Sequence, residues 1–230
     1  MIFEVRTNVY ICPLAMTNFI PIFPLEIVVY PGEKLNLHIF EDRYKQLIGE
    51  CYKEKKMFGI PPVLKNKIAE TGTLMQTTAI VKQYDDGRMD IITEGVSVYR
   101  ILEVIDSIPA KLYSGAIVNY PENDDAGNRE LMQKVVNGVK QMHRLLNISK
   151  DFKKPDEQLH AYDVGHHAGL SLEEEYELLG LMKEIQRQEY IKRHLQKVLP
   201  MLLEMEQLKE KVKLNGHFRN LSAFDFDIDL

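Results

Sequence analysis

The stretch Phe19–Ile48, FIPIFPLEIVVYPGEKLNLHIFEDRYKQLI, decides the fold, because it specifies a strand, a turn, a second strand and a helix in one run. Pro24 ends a short apolar segment, and Ile27 to Tyr30 resume an extended apolar stretch. Pro31 presets φ and Gly32 tolerates φ > 0, so Pro31-Gly32 is read as a turn. From Leu35 the apolar residues alternate through Leu37 and Ile39, the period of a strand. After Phe40 they fall at Tyr44, Leu47, Ile48 and Cys51, the period of a helix. Glu41 and Asp42 stand at the switch, where the positive end of a helix dipole favours acids. With Arg43 beside them, the expected roles are capping, dipole compensation and a local ion pair rather than ligand binding.

Outward from this segment the first half of the chain reads as β-rich. Phe58–Leu64, Thr73–Tyr84, Arg88–Thr93, Val96–Ile105 and Lys111–Asn119 are rich in Ile, Val, Thr and Tyr and are predicted strands. Asp85-Asp86-Gly87 marks a hairpin, with Gly87 supplying φ > 0. Short strands with one inserted helix predict a small, partly closed barrel, since closure hides strand edges. Pro121–Asn128 is polar and turn-forming, and beyond it the period is helical.

Leu131, Val135, Val139, Met142 and Leu146 mark one helix. Asp156–Ala168 predicts a short one stopped near Gly169. Ser171 and Glu174 form a capping box ahead of Tyr176, Leu178, Leu179, Met182 and Ile185. A last helix from about Gln188 to Leu214 carries Ile191, Leu195, Val198, Leu202 and Met205 in heptad rhythm until Lys209 interrupts it before Val212; the length of about three heptads fits a packed bundle helix or a coiled-coil seam that can support a homodimer. Pro200 should kink or divide it, and Asn215-Gly216 should end it. The expected class is therefore α+β. Residues 1–18 form an N-terminal arm, 19–120 the barrel, 121–214 a helical bundle with a long last helix, and 215–230 a mobile acidic-apolar tail.

At 230 residues with 45% apolar content the chain can bury a sizeable core. A formal charge of −5 argues against DNA as a partner, because phosphate neutralisation supplies most non-specific affinity. Cys12 and Cys51 lack metal or redox spacing and are read as free thiols in a reducing cytoplasm. Thr7–Leu25 is uncharged, yet Pro13, Pro21 and Pro24 with Asn8 and Asn18 oppose a membrane span. Met1 and Met16 are competing starts.

His160, His166 and His167 cluster near Asp156, Glu157 and Asp163, but adjacent histidines point to different helix faces and no His-x-x-x-His spacing occurs. They are read as structural, as are His38, His143 and the acids Glu173 to Glu175. Met182, Met201 and Met205 are read as core, with an adaptable peptide surface as the other reading. No catalytic residue, cofactor site or metal site is assigned.

Taken in order, Pro21–Leu25, Pro31-Gly32, Leu37–Tyr44, Phe58-Gly59, Gly72-Thr73, Asp86-Gly87-Arg88 and Gly95 resemble the recurrent pattern of the Lon protease amino-terminal, or substrate-binding, domain. The family-motif positions are Pro24, Leu25, Pro31, Gly32, Phe40, Glu41, Arg43, Tyr44, Phe58, Gly59, Gly72, Thr73, Gly87, Arg88 and Gly95. The sequence departs from the pattern at Pro61-Pro62 and at the polar Gln76-Thr77-Thr78. The resemblance is to free-standing versions: no G-x-x-x-x-G-K-[ST] phosphate loop and no serine-lysine protease module is present.

It implies a PUA-like barrel and a non-enzymatic role in protein quality control, binding unfolded or exposed hydrophobic polypeptide segments. That role would be played as an adaptor with Lon protease as a partner, or independently of it. The residues that contact peptide do not follow from the resemblance. PUA-like barrels also bind RNA, which here would use aromatics such as Tyr84, Tyr99 and Tyr113.

Overall fold

A computed structural model describes residues 18–221, with side chains through Val212. The arm residues 1–17, with Cys12 and both candidate starts, lie outside the described residues, as does the tail 222–230. The chain divides into two compact units, Met1–Glu122 and Asn123–Leu230.

The first unit is a barrel. Its strands are β1 (Asn18–Pro21), β2 (Lys34–Ile39), β3 (Phe58–Ile60), β4 (Val63–Leu64), β5 (Lys67–Ile68), β6 (Thr71–Gln83), β7 (Met89–Ile105) and β8 (Gly115–Asn119). The main sheet runs β1-β8-β7-β6-β3, with β2 attached to the first half of β7. The ring closes where Ile22 bridges Gly59 in parallel and Phe23 N–H donates to Gly59 O at 2.8 Å. Leu25 continues the zip by accepting from Val63 N–H at 2.7 Å. The Pro24-Leu25 motif thus belongs to the closure.

Helix α1 (Asp42–Glu54) buries Tyr44, Leu47, Ile48 and Cys51, the face set by the sequence period. These pack with Phe23, Phe58, Ile60, Met75 and Ile91 in one core cluster, while a second gathers Ile20, Ile22, Leu74, Ala116 and Val118 around Tyr99. Three local expectations need correction. Ile27–Tyr30 is a loop and not a strand, with Val28, Val29 and Tyr30 buried and Ile27 exposed: its backbone is tied by Thr73 Oγ1 donating to Val29 O and by Tyr30 N–H donating to Glu33 Oε2. Arg88–Thr93 and Val96–Ile105 are parts of one strand, β7. Phe58–Leu64 is instead broken at Pro61-Pro62 into β3 and β4, since proline cannot donate to a ladder.

The second unit is helical: α2 (Arg129–Leu145), α3 (Ala161–Val164), α4 (Leu172–Leu179) and α5 (Glu184–Leu221), with single 3₁₀ turns at Asp156–Gln158 and Gly165–His167. Asn128 caps α2 by accepting from Leu131 N–H at 2.9 Å, and Leu131, Val135, Val139 and Met142 are buried; Leu146 is exposed. The Ser171/Glu174 capping box is formed at the start of α4. That helix stops at Gly180, however, so Ile185 belongs to α5 and is exposed. Helix α5 starts earlier than expected, continues through Pro200 undivided, and runs past Asn215-Gly216 to Leu221.

The centre of this unit is charged. Glu184 and Arg187 are fully buried and meet at 2.8 Å. Arg187 also donates to Asn123 Oδ1 at 2.7 Å and Asp125 Oδ1 at 2.9 Å, with its guanidinium 4.2 Å from the centre of the Tyr162 ring. Glu184 accepts from Ala161 N–H at 2.7 Å and Gln188 Nε2 at 3.1 Å. Buried charge is tolerated only when its hydrogen bonds are met in this way.

Candidate functional site

The family-motif residues sort by what they touch. Gly32 (φ +82°) and Gly87 (φ +81°) take the left-handed turns that glycine accommodates without strain. Gly32 follows Pro31 in its turn and donates to Gly95 O at 2.8 Å, and Gly95 donates to Glu33 O at 2.9 Å. A Cβ on Gly95 would lie 2.4 Å from Tyr30 O. Gly59 and Gly72 flank the buried Tyr99 ring, and a Cβ on either would sit 2.5 Å from Tyr99 Oη. Phe58 and Thr73 are buried; Tyr44 stacks on Phe23 with ring centres 3.8 Å apart. Glu41 makes no side-chain cap; it pairs with Arg43 at 2.7 Å, whose guanidinium lies over Tyr44. Arg88 pairs with Asp86 at 2.6 Å.

Phe40 is the exception. At 61% exposure it contributes little to the core. It stands at the end of β2, its ring 6.2 Å from His38, which in turn meets the Tyr84 ring edge-on at 5.9 Å. Asp90 orders the group: His38 Nδ1 lies 2.6 Å from Asp90 Oδ1, and Tyr84 Oη donates to Asp90 Oδ2 at 2.8 Å. These bonds hold the Asp90 carboxyl below the usual range, His38 being the largest cause. Strand β2 pairs with β7 along one side, and among the described residues its other edge has no partner strand. An exposed aromatic anchor thus adjoins a row of open backbone donors and acceptors, the arrangement that accepts an added strand.

A second surface in the barrel unit is a cleft of about 260 Å³ lined by Phe19, Pro21, Cys51, Ile108, Lys111 and Tyr113. Its polar groups satisfy one another. Glu50 Oε2 accepts from Lys111 Nζ at 2.7 Å and Tyr113 Oη at 2.5 Å, which holds its carboxyl below the ordinary value. Gln46, one turn earlier, accepts from Leu112 N–H at 2.9 Å. Residues 111–113 are therefore fastened to α1, and the strand predicted from Lys111 begins only at Gly115. Burial pushes the Cys51 thiol up to about 11, so it is a poor nucleophile near neutrality.

The helical unit holds a larger cleft, about 590 Å³, lined by Lys140, His143, Arg144, Lys150, Phe152 and Lys154 among others. Lys140 pairs with Asp156 at 2.5 Å and Lys154 with Asp163 at 2.7 Å. The clustered histidines are separated in their contacts. His160 starts α3 in a capping box with Asp163; His166 Nδ1 lies 2.7 Å from Glu175; His167 packs against Phe152 and His143. Among the described residues no group of three potential ligands is placed to hold a metal, and no helix is long and apolar enough to cross a membrane.

Of the aromatics considered for base stacking, Tyr99 and Tyr113 are buried and only Tyr84 is partly open. Met201 and Met205 are exposed rather than core. Sequence reasoning missed the outward position of Phe40: the strand alternation that places Leu37 and Ile39 inward ends at the β2–α1 junction, where no period applies.

Residues 20–197 match the family model of the ATP-dependent protease La (LON) substrate-binding domain. Among solved structures, the Lon N-terminal domain protein from Xanthomonas campestris is similar with a TM-score of 0.58 and 22% identity, covering 75% of this chain and 95% of that one. The N-terminal domain of Mycobacterium avium complex Lon protease aligns with a TM-score of 0.56 and 14% identity, over 78% of this chain and 98% of that one. At these identities the likeness is one of fold. No curated protein matches in sequence.

Proposed function

Because the chain belongs to the Lon substrate-binding domain family, we propose that it is a non-enzymatic recognition module that captures extended apolar polypeptide segments along the open edge of β2. The family match supports a substrate-binding role. The observation that carries the finer reading is Phe40, a motif residue that the fold leaves exposed beside an unpaired strand edge. Backbone hydrogen bonds to β2 would give affinity with little sequence preference, and an apolar side chain against Phe40 would select exposed hydrophobic segments. Such tolerance suits unfolded clients. The module then works in cytoplasmic quality control, as an adaptor for Lon or beside it.

The test is binding of an unfolded model substrate and a peptide array by fluorescence anisotropy. Phe40→Glu should weaken binding about tenfold or more, equivalent to ~1.4 kcal/mol, while circular dichroism stays unchanged. Peptides N-methylated at alternate positions should bind more weakly than their parents, since they cannot complete a ladder. Undiminished binding by Phe40→Glu would move the site elsewhere, and no binding to any polypeptide would remove the function. The RNA reading is not retained, because two of its three aromatics are buried; a salt-dependent shift with structured RNA would restore it.

A further inference from the structure

Beyond Pro200, α5 carries Met201, Met205, Leu208 and Val212, exposed at 64%, 52%, 60% and 69%. They are spaced by alternating steps of four and three, the a/d rhythm of a coiled coil. Of the seam read from the sequence, Ile191 to Met205, only Met205 lies on this stripe. Ile191 and Leu195 of that seam are buried, Leu195 lying against Gly138 of α2. At 3.6 residues per turn the exposed stripe lies about a quarter turn away from them. Upstream on the stripe's own side, Tyr190 Oη donates to Glu177 at 2.8 Å and His194 lies 3.3 Å from Glu174, so α4 covers that part. Among the described residues nothing covers Met201 to Val212.

The flanking charges say what would fit. With Met205 and Val212 at a and Met201 and Leu208 at d, Glu204 occupies a g position and Lys209 an e position. Lys209 is exposed, and among the described residues it pairs with Glu206 of the same helix at 3.6 Å, a surface pair of little strength. In a parallel pair a g residue faces the following e residue of the other helix. Glu204 would then meet Lys209 of a second copy, twice by symmetry. Val212 at a with Leu208 at d is the combination that favours two parallel strands. Pro200 falls at c, away from the seam.

We propose that two copies of this chain pair through this stripe, α5 beside α5 and parallel. The contact spans only about two heptads, so the dimer is weak and concentration-dependent. It does not depend on where substrate binds.

Sedimentation of the full chain over a broad concentration series tests it. The wild type should pass from monomer to dimer. Met205→Glu and Leu208→Glu should raise the dissociation constant about tenfold or more, while Val81→Glu, at an exposed position on β6, should not. Glu204→Lys should weaken pairing and Glu204→Lys with Lys209→Glu should restore it, a rescue that loss of folding could not produce. A wild type that stays monomeric throughout, or a charge reversal without rescue, would overturn the proposal. Rescue by Lys211→Glu instead of Lys209→Glu would overturn the parallel arrangement.

Discussion

The barrel unit and the helical unit bury different chemistry at their centres. In the barrel, Tyr99 is enclosed by apolar neighbours and by two glycines so close that a Cβ on either would fall 2.5 Å from its hydroxyl. In the helical unit the centre is Arg187, bonded to Glu184, Asn123 and Asp125. The first is a problem of space and the second a problem of charge. Overpacking can be relieved by small shifts, whereas an unpaired charge in a low-dielectric interior cannot.

The largest effect is therefore expected at Arg187. Replacing it with Met should cost about 3–5 kcal/mol, because Glu184 is left buried and unpaired. Hydrogen exchange should show protection lost across the helical unit and retained in the barrel. Adding Glu184→Met should recover part of the loss; if it does not, the hydrogen bonds from Glu184 to Ala161 and Gln188 matter more than its charge. Next, Gly59→Ala or Gly72→Ala should cost roughly 1–3 kcal/mol by overpacking, with the exchange pattern inverted: the barrel opens and the helices stay closed.

Acid should separate the two units again. Burial, then the charges of Lys150, His143, His166 and Lys153, lowers the His167 pKa from 6.5. The unfolded state binds that proton more readily, so this contribution to the helical unit is present above pH 6.5 and is lost as pH falls toward the depressed folded value. Glu50 in the barrel is also lowered, from 4.5, by its bonds to Lys111 and Tyr113. Its contribution persists until pH falls below 4.5 and is lost through the lower folded value. Exchange measured against pH should thus show the helical unit loosening first, and His167→Leu should flatten that slope. The smallest effect is expected from Tyr99→Phe. Tyr99 Oη is buried without a hydrogen-bond partner among the described residues, so removing it should change stability by less than about 1 kcal/mol. A large loss in thermal unfolding would reveal an unseen partner.

The contrast also explains what could be read in advance. The buried face of α1, the Asp86-Gly87 hairpin and the Ser171/Glu174 box follow from neighbours a few residues apart, and the chain forms them as spaced. Glu184 and Arg187 were invisible for the opposite reason: on a helix rich in Lys, Glu and Arg they resemble any solvated pair. Segments distant in sequence, residues 123–125 around Arg187 and Ala161 and Tyr162 around the pair, convert them into a core. The two strands read at Arg88–Thr93 and Val96–Ile105 are one, because Gly95 between them lets the strand run on where Tyr30 O approaches.

By itself the sequence determined the α+β class, the strand-to-helix switch at Glu41-Asp42 and the family, because periodicity and turn chemistry are local properties of the chain. Only the tertiary structure decided that the Pro24-Leu25 run closes the barrel, that Phe40 is left to solvent and that the open stripe of α5 lies beyond Pro200. Exposure depends on which distant segments arrive to cover a side chain, and spacing along the chain does not encode that.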